Sequence, residues 1–344
     1  MRPPTWTACP RTTRTRARAD MTPDRHRAAV LVLTNTYDVT ADVVLRILSD
    51  RRVPVVRVDL GVDLLEGASL TAYYRTGEQR GALRTSSREL DLTRVRSVWV
   101  RRPSAYEAPP GLNEHTAKFA SAQAFWGSGG VIASLPRAHY VNHPWHIRNA
   151  EYKPAQLTVA SRTGFLVPNT VITTDPGEAR RFCTDQPGRA VYKPLWDSRY
   201  RTEDGAAQTV WVREVDPAEI IDAVSVCPHM FQAKVGKAFD VRVTAVGDRL
   251  FGVRIDSPDL DWRHRQDLMT CAPIEVPDSV ARAITAYLAE LRLTFGAFDF
   301  AVTASGDWYF LECNPKGQWA WQPAETTAAI AHAIADQLER GPDS

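Results

Sequence analysis

Residues 28–60 constrain the fold more than any other stretch of the chain. An apolar run at 29–33 leads into an amphipathic stretch through Val43, Val44, Leu45, Ile47 and Leu48, then a second apolar run at 53–58. Strand, helix, strand at that spacing is a βαβ unit, because parallel strands need a crossover between them. The turn after the first strand, Thr34-Asn35-Thr36-Tyr37-Asp38, contains no glycine. Both the dinucleotide fingerprint and the Walker A loop are therefore absent there. A hairpin over 70–83, a strand at 97–100 running into Arg101, Arg102 and Pro103, and a helix around 113–125 complete a first domain over 28–140.

Charge and cysteine usage exclude several classes of partner. Residues 1–27 carry seven arginines (2, 11, 14, 16, 18, 25, 27) against Asp20 and Asp24, so a chain of net charge +2 has a near-neutral body. The tail has no apolar h-region and no amphipathic period, and it is expected to be a disordered extension or an over-extended start ahead of Met21. No nucleic-acid partner is expected of the body. No apolar run approaches the ~20 residues of a membrane span. The five cysteines are scattered, odd in number and never paired as CxxC, which fits a cytoplasmic protein without a zinc site or disulfide framework.

From Asn142 the texture changes. Lys153-Pro154 opens a helix that Gly164 ends, with the proline in the first turn. Short strands are expected at 167–172, 190–193, 209–212 and 230–235, then hairpins of 240–246 with 249–255 and of 298–302 with 308–314. Helices are expected at 216–225, 280–291 and 326–338. The boundaries follow as a second unit over 141–231 and a third over 232–338.

The last hairpin carries the sharpest chemical signal. If Thr303 pairs with Trp308, Asp299 lies directly opposite Glu312, and Asn314 shares their face two residues on. Opposed like charges are unfavourable unless a cation cancels them, and two carboxylates with an amide oxygen suit a hard divalent ion. The alternative is an exposed polar face, but Trp308 and Phe310 are expected on the same side, which argues against simple solvation.

Lysine is the second signal. Only Lys118, Lys153, Lys193, Lys234, Lys237 and Lys316 stand against 36 arginines. In so Arg-biased a chain, the lysines mark places that need a compact ammonium rather than a planar fork. Lys193 ends a strand and precedes a polar loop over 197–208 of the kind that closes over phosphates. Arg242, in Phe239-Asp240-Val241-Arg242-Val243, is either a structural partner of Asp240 or a guanidinium placed to stabilise developing negative charge.

The order Lys153, Lys193, the strand 231–235, Asp240-Val241-Arg242, Asp299 and Glu312-Cys313-Asn314-Pro315 resembles the ATP-grasp ligases over nearly the whole chain after the tail. More narrowly it resembles the microviridin-type or graspetide peptide maturases. The supporting segments are Val98-Trp99-Val100-Arg101-Arg102-Pro103, Asn142-His143-Pro144, Lys153-Pro154-Ala155-Gln156-Leu157, Asp261-Trp262-Arg263 and Asn314-Pro315-Lys316-Gly317-Gln318-Trp319. The resemblance implies an α/β (α+β) ATP-grasp fold: a pre-ATP-grasp βαβ domain, then two α+β lobes enclosing ATP. Lys153 and Lys193 would contact phosphates, Gln232 and Val235 would hold adenine in the hinge with Lys237 beside them, and Asp299, Glu312 and Asn314 would hold Mg²⁺.

By the same resemblance, a carboxylate of a precursor peptide attacks the γ-phosphate of ATP, and a Ser, Thr or Lys side chain of that peptide displaces phosphate from the acyl phosphate. Arg242 and Lys193 would be catalytic. Arg101, Arg102, Asp261, Trp262 and Arg263 are candidates for binding the acidic peptide. A homodimer is a further implication. Two alternatives stand beside this one: a ligase of free amino acids or of glutamate onto a protein tail, and a peptide-binding module without turnover. The intact set of Lys193, Asp299, Glu312 and Asn314 argues against the module.

Overall fold

The computed structural model describes residues 28–196 and 199–341. The Arg-rich tail lies outside the described residues. The first sheet is parallel, in the order Val55–Val58, Ala29–Thr34, Val95–Arg102, His139–Val141, with the helix Val39–Asp50 as the βαβ crossover. Asp38 caps that helix by accepting the amide of Ala41 at 3.3 Å. The expected hairpin is Ser69–Arg75 with Glu78–Arg84, extended by Glu89–Asp91 into a separate three-stranded sheet. The helix expected to end near 125 runs over Glu114–Ala133.

Two larger antiparallel sheets and a two-stranded ribbon, Arg199–Arg201 with Ala207–Thr209, follow. The smaller has the order Arg213–Val215, Ala190–Lys193, His229–Ala233, Thr170–Thr173. The larger has the order Thr270–Pro273, Arg249–Asp256, Lys237–Val246, Phe295–Thr303, Trp308–Asn314. Residues 234–236 link them, joining a central strand of each.

One face of the large sheet buries Val241, Val243, Phe298, Phe300 and Phe310 under the helix Asp278–Leu291 and Phe165, which follows the helix Lys153–Arg162. The last helix, Ala324–Arg340, instead packs with the first domain. Ile330, Ile334 and Leu338 share one core with Val30, Val32, Val44, Leu48 and Trp99, and with Val246 and Phe295 of the large sheet. Ser97 Oγ donates to the Leu338 carbonyl at 2.7 Å within that contact.

Three sequence expectations differ from the structure. Residues 216–225 form no α-helix but two 3-10 turns, Pro217–Glu219 and Asp222–Val226. The β-branched Ile220 and Val224 are poor helix formers, and the turns let both reach the small core with Ala179, Cys183 and Phe231. The single strand expected at 209–212 is instead two, Ala207–Thr209 and Arg213–Val215, because the chain leaves a ribbon with Arg199–Arg201 to join Ala190–Lys193. The helix Pro176–Asp185 was not anticipated. Its signals stand in the sequence: Asp175 accepts from the amides of Gly177 (2.7 Å) and Glu178 (3.3 Å), and Pro176 opens the first turn.

Candidate active site

Between the two antiparallel sheets lies a cavity of about 440 Å³, in the range of nucleotide and cofactor pockets. Its wall brings together Lys153, Lys193, Gln232, Val235, Lys237, Asp261, Trp262, Arg263, Asp299, Glu312 and Asn314. Arg242, Arg101 and Arg102 do not line it.

Register places the acidic pair. Arg242 pairs with Asp299 and Asp299 pairs with Glu312, so the three form one row across adjacent strands on one face. The hairpin reaches this arrangement by an unexpected route. Val302, not Thr303, pairs with Trp308, which taken alone would put Glu312 one residue out of line. A bulge corrects it: Phe300 pairs with Phe310 and Asp299 with Glu312, leaving Leu311 as the extra residue. The bulge also reverses the face expected for the aromatics. Trp308 and Phe310 enter the core under the helices, while Glu312 and Asn314 stay on the cavity side.

The site is a dense ionic lattice. Arg242 grips Asp299 with two prongs, Nε to Oδ1 at 2.7 Å and Nη2 to Oδ2 at 3.2 Å. Asp240, its other candidate partner, is bound by Lys237, whose Nζ also donates to the Leu260 carbonyl at 2.7 Å. Arg263 Nη2 donates to Asp299 Oδ2 and to Glu312 Oε1, the latter at 2.8 Å. Lys153 Nζ lies 3.4 Å from Glu312 Oε2 and donates to the Pro194 carbonyl at 2.7 Å. Lys193 is buried, and among the described residues its ammonium donates to the Leu311 carbonyl alone, at 3.4 Å.

Titration follows from these neighbours. Burial pushes the Glu312 carboxyl up, but Arg263, Lys153 and Lys193 outweigh it and hold the group well below the usual carboxylate range. Burial, aided by the Glu312 charge, pushes Asp299 up against the pull of Arg242 and Arg263. The Lys193 ammonium is lowered by burial and by Lys153 and Arg263, with Glu312 opposing. A buried, weakly partnered ammonium beside a carboxylate row is suited to an anionic ligand.

A divalent metal fits the donor set. Asp299 and Glu312 are directly opposed, Asn314 on the same side has an amide oxygen that accepts the Lys316 amide at 2.9 Å and keeps a second lone pair, and a cationic guanidinium already sits between the carboxylates. Too few carboxylates converge for an all-protein cage: among the described residues no three His, Cys, Asp or Glu side chains form a metal cluster. A donor set this sparse suits Mg²⁺ completed by phosphate oxygens.

Other predicted residues have different placements. Arg101 is buried at 3% exposure, with Asp38 at 3.5 Å, the Lys316 carbonyl at 2.7 Å and the Gln318 amide oxygen as partners. Burial lowers its pKa to about 10 against the pull of Asp38. It ties the first domain to the loop after Asn314 and stays out of the cavity; Arg102 beside it is exposed. Gln232 is buried and donates to Thr170 Oγ1 at 2.9 Å. Trp262 packs with Val253 and Ile255 and lies 4.9 Å from the ring centre of Trp321.

Sequence reasoning gave no separate role to two buried amides. Gln156 accepts the Cys313 amide at 2.9 Å and donates to the Cys313 carbonyl at 2.9 Å, clamping the strand between Glu312 and Asn314. Asn142 donates to the carbonyls of Phe295 (2.8 Å) and Pro315 (2.9 Å), bracing both strands of the hairpin. Their only sequence signal was membership in motif segments. Trp196 and Trp211, which flank the cavity mouth, had none.

Two antiparallel sheets closing on a nucleotide-sized cavity, with lysines beside an acidic pair on its wall, have the architecture of the ATP-grasp fold. A parallel βαβ domain precedes it, and residues 29–148 match the model of the MvdD pre-ATP-grasp domain. Within this class the chain is similar to the ATP-grasp ligases of ribosomal peptide maturation. It is 25% identical to a RiPP-associated ATP-grasp ligase of Chryseobacterium gregarium, solved with ADP and a leader and core peptide (TM-score 0.83, covering 91% of this chain and 97% of that one). It is 28% identical to the macrocyclase MdnB of Microcystis aeruginosa MRC (TM-score 0.75, 91% and 99%). The macrocyclase MdnC of the same strain, solved with the precursor peptide MdnA, shares the fold at 23% identity (TM-score 0.80, 91% and 99%). No curated protein sequence matches the chain.

Proposed function

We propose that the chain is an ADP-forming carboxylate–amine/alcohol ligase that crosslinks a ribosomal precursor peptide. The observation that carries this reading is the opposed pair Asp299 and Glu312 on the cavity wall, backed by Arg242 and flanked by Lys153 and Lys193, in a chain that is similar along 91% of its length to a peptide-bound ligase. A carboxylate oxygen of an Asp or Glu side chain attacks the γ-phosphorus of ATP, the bond to the bridging oxygen breaks, and acyl phosphate and ADP result. A Ser or Thr hydroxyl or Lys amine of the same peptide then attacks the carbonyl carbon. Phosphate leaves, the nucleophile gives up its proton, and an ester or amide closes a ring.

In this reading Lys153 and Lys193 hold phosphates, Gln232, Val235 and Lys237 line the adenine end, and Asp299, Glu312 and Asn314 hold Mg²⁺. Mg²⁺ supplies charge neutralisation on the phosphate oxygens. Arg242 orients Asp299 from behind and adds positive potential at the transferring phosphoryl group. Asp261, Trp262 and Arg263, with exposed Arg102, face the acidic peptide. The proposed units are 28–140, 141–231 and 232–338, in a cytoplasmic protein able to form homodimers. Among the described residues no helix is long and apolar enough to cross a membrane.

The test is intact mass spectrometry of acidic, Ser/Thr/Lys-containing peptides encoded beside the gene, incubated with the protein, ATP and Mg²⁺. Loss of one water per bond, absent with Glu312→Ala, is expected. ADP release with a gain of amino-acid mass would move the assignment to a tailing or small-molecule ligase, and no turnover with intact peptide binding would point to the binding module.

A further inference from the structure

Arg263 is bound to two of the side chains assigned to the metal, Asp299 and Glu312. Its Nη2 bridges Asp299 Oδ2 and Glu312 Oε1, the directly opposed carboxylates of the hairpin. It differs from Arg242, the other arginine on Asp299, in both anchorage and exposure. Arg242 stands on a central strand with its side chain 5% exposed, whereas Arg263 comes from the connection between two strands with its side chain 33% exposed. Arg242 is enclosed by the sheet, while Arg263 lines the cavity.

A resting place is already provided. Asp261 Oδ1 lies 3.3 Å from Arg263 Nη1, and the Trp262 ring centre lies 4.7 Å from the guanidinium carbon. Both contacts come from adjacent residues of the same connection, and Trp262 is fixed by its packing on Val253 and Ile255, so the guanidinium swings against a ring that stays in place. Burial alone would depress its charge, but Asp299, Glu312 and Asp261 together keep it protonated. A guanidinium and a divalent ion cannot share the two carboxylates, since their charges repel at contact distance in a half-buried site.

We infer that Arg263 is the resident counter-cation of the Asp299–Glu312 pair, evicted by the metal that arrives with the nucleotide and released to meet the acidic peptide. The inference rests on the assignment of Asp299, Glu312 and Asn314 to the metal. The eviction imposes an order: the arginine is free for a peptide carboxylate only after the metal has taken its place. It also removes the cost of leaving two opposed carboxylates bare before ATP binds.

The experiment is calorimetric titration of the full chain with Mg·ADP, alongside thermal unfolding without ligand, for the wild type, Arg263→Gln, Arg263→Lys and Glu312→Gln. With its competitor removed, Arg263→Gln is expected to bind Mg·ADP more tightly, by about fivefold or more, the lower end of usual coupling between linked sites. It is also expected to unfold at a lower temperature when empty. Arg263→Lys, which bridges less well, should move in the same direction by less, and it carries the test if Arg263→Gln does not fold. Affinity unchanged or weakened in both Arg263 variants, with Glu312→Gln impaired, overturns the inference and leaves the metal assignment standing. Undiminished affinity in Glu312→Gln overturns the metal assignment itself.

Discussion

Asp240, paired with Lys237 on the cavity wall, is a buried carboxyl whose titration moves toward neutrality. Burial raises the Asp240 carboxyl from 3.8 to about 6, against the pull of Lys237. The folded chain therefore holds this proton more tightly than the unfolded chain does. The contribution of Asp240 to stability is greatest below pH 4, declines as pH rises to about 6, and stays diminished above it, by about 3 kcal/mol at ~1.4 kcal/mol per pH unit. Glu312, held low by its cations, has the opposite sign: its stabilisation is present above pH 4.5 and is lost as pH falls. Denaturant melts of the wild type and Asp240→Asn at pH 4, 5, 6 and 7 should show the difference in stability drifting toward the variant across that window. A constant difference would remove Asp240 as the titrating group. At this scale the sequence was informative where residue type is rare: of the six lysines that stand against 36 arginines, Lys153, Lys193, Lys234 and Lys237 line the cavity, while Lys118 and Lys316 do not line it and pair with Glu114 and Glu151. It was misleading where a charge could be spent on structure. Nothing in Arg101-Arg102 distinguishes the arginine that is buried against Asp38 from the one that is exposed.

Among elements, the Phe295–Thr303 and Trp308–Asn314 hairpin decides the chemistry, and the loop that follows keeps it in place. Gly317 sits where a Cβ would come within 2.4 Å of the Ala297 Cβ and 3.2 Å of Arg242 Nη1. Only glycine lets the loop after Asn314 lie this close to the strand. Gly317→Ala should cost about 1–3 kcal/mol, the usual penalty of overpacking, and weaken Mg·ADP binding through the displaced Arg242. Thermal unfolding and nucleotide titration measure the two effects, and a variant matching the wild type in both would show that the loop yields freely. The hairpin itself was legible from alternating apolar residues around the 304–307 turn. The bulge at Leu311 was not, because one extra residue in a strand leaves no mark on composition or length. Its effect is nonetheless large, since a shift of one exchanges the two faces. The opposition of Asp299 and Glu312 was thus anticipated from a register that holds at the site end of the hairpin and fails at the turn end.

The whole molecule is knit by its last helix. Amphipathic spacing over 326–338 announced a buried face but not what would bury it. The partner is the first domain: Arg51 meets Asp336 and Glu339 at 2.7 and 2.9 Å, and Arg96 donates to the Glu339 carbonyl at 2.8 Å. Ile334 is fully buried between the parallel sheet and the large antiparallel one. Ile334→Ala should cost about 2–5 kcal/mol. Because the cavity belongs to one core and the first domain to the other, the variant should lower the melting of both together, seen as a single displaced transition in calorimetry. Two separated transitions would show that the first domain stands without the helix. Val30 and Val32 of the first strand share one core with Leu338 of the helix Ala324–Arg340, about 300 residues further along the chain. Nascent domains usually settle in the order they leave the ribosome. Here the parallel sheet stays open along one side until the helix Ala324–Arg340 has followed it out, so the earliest segment to be made is among the last to be sealed.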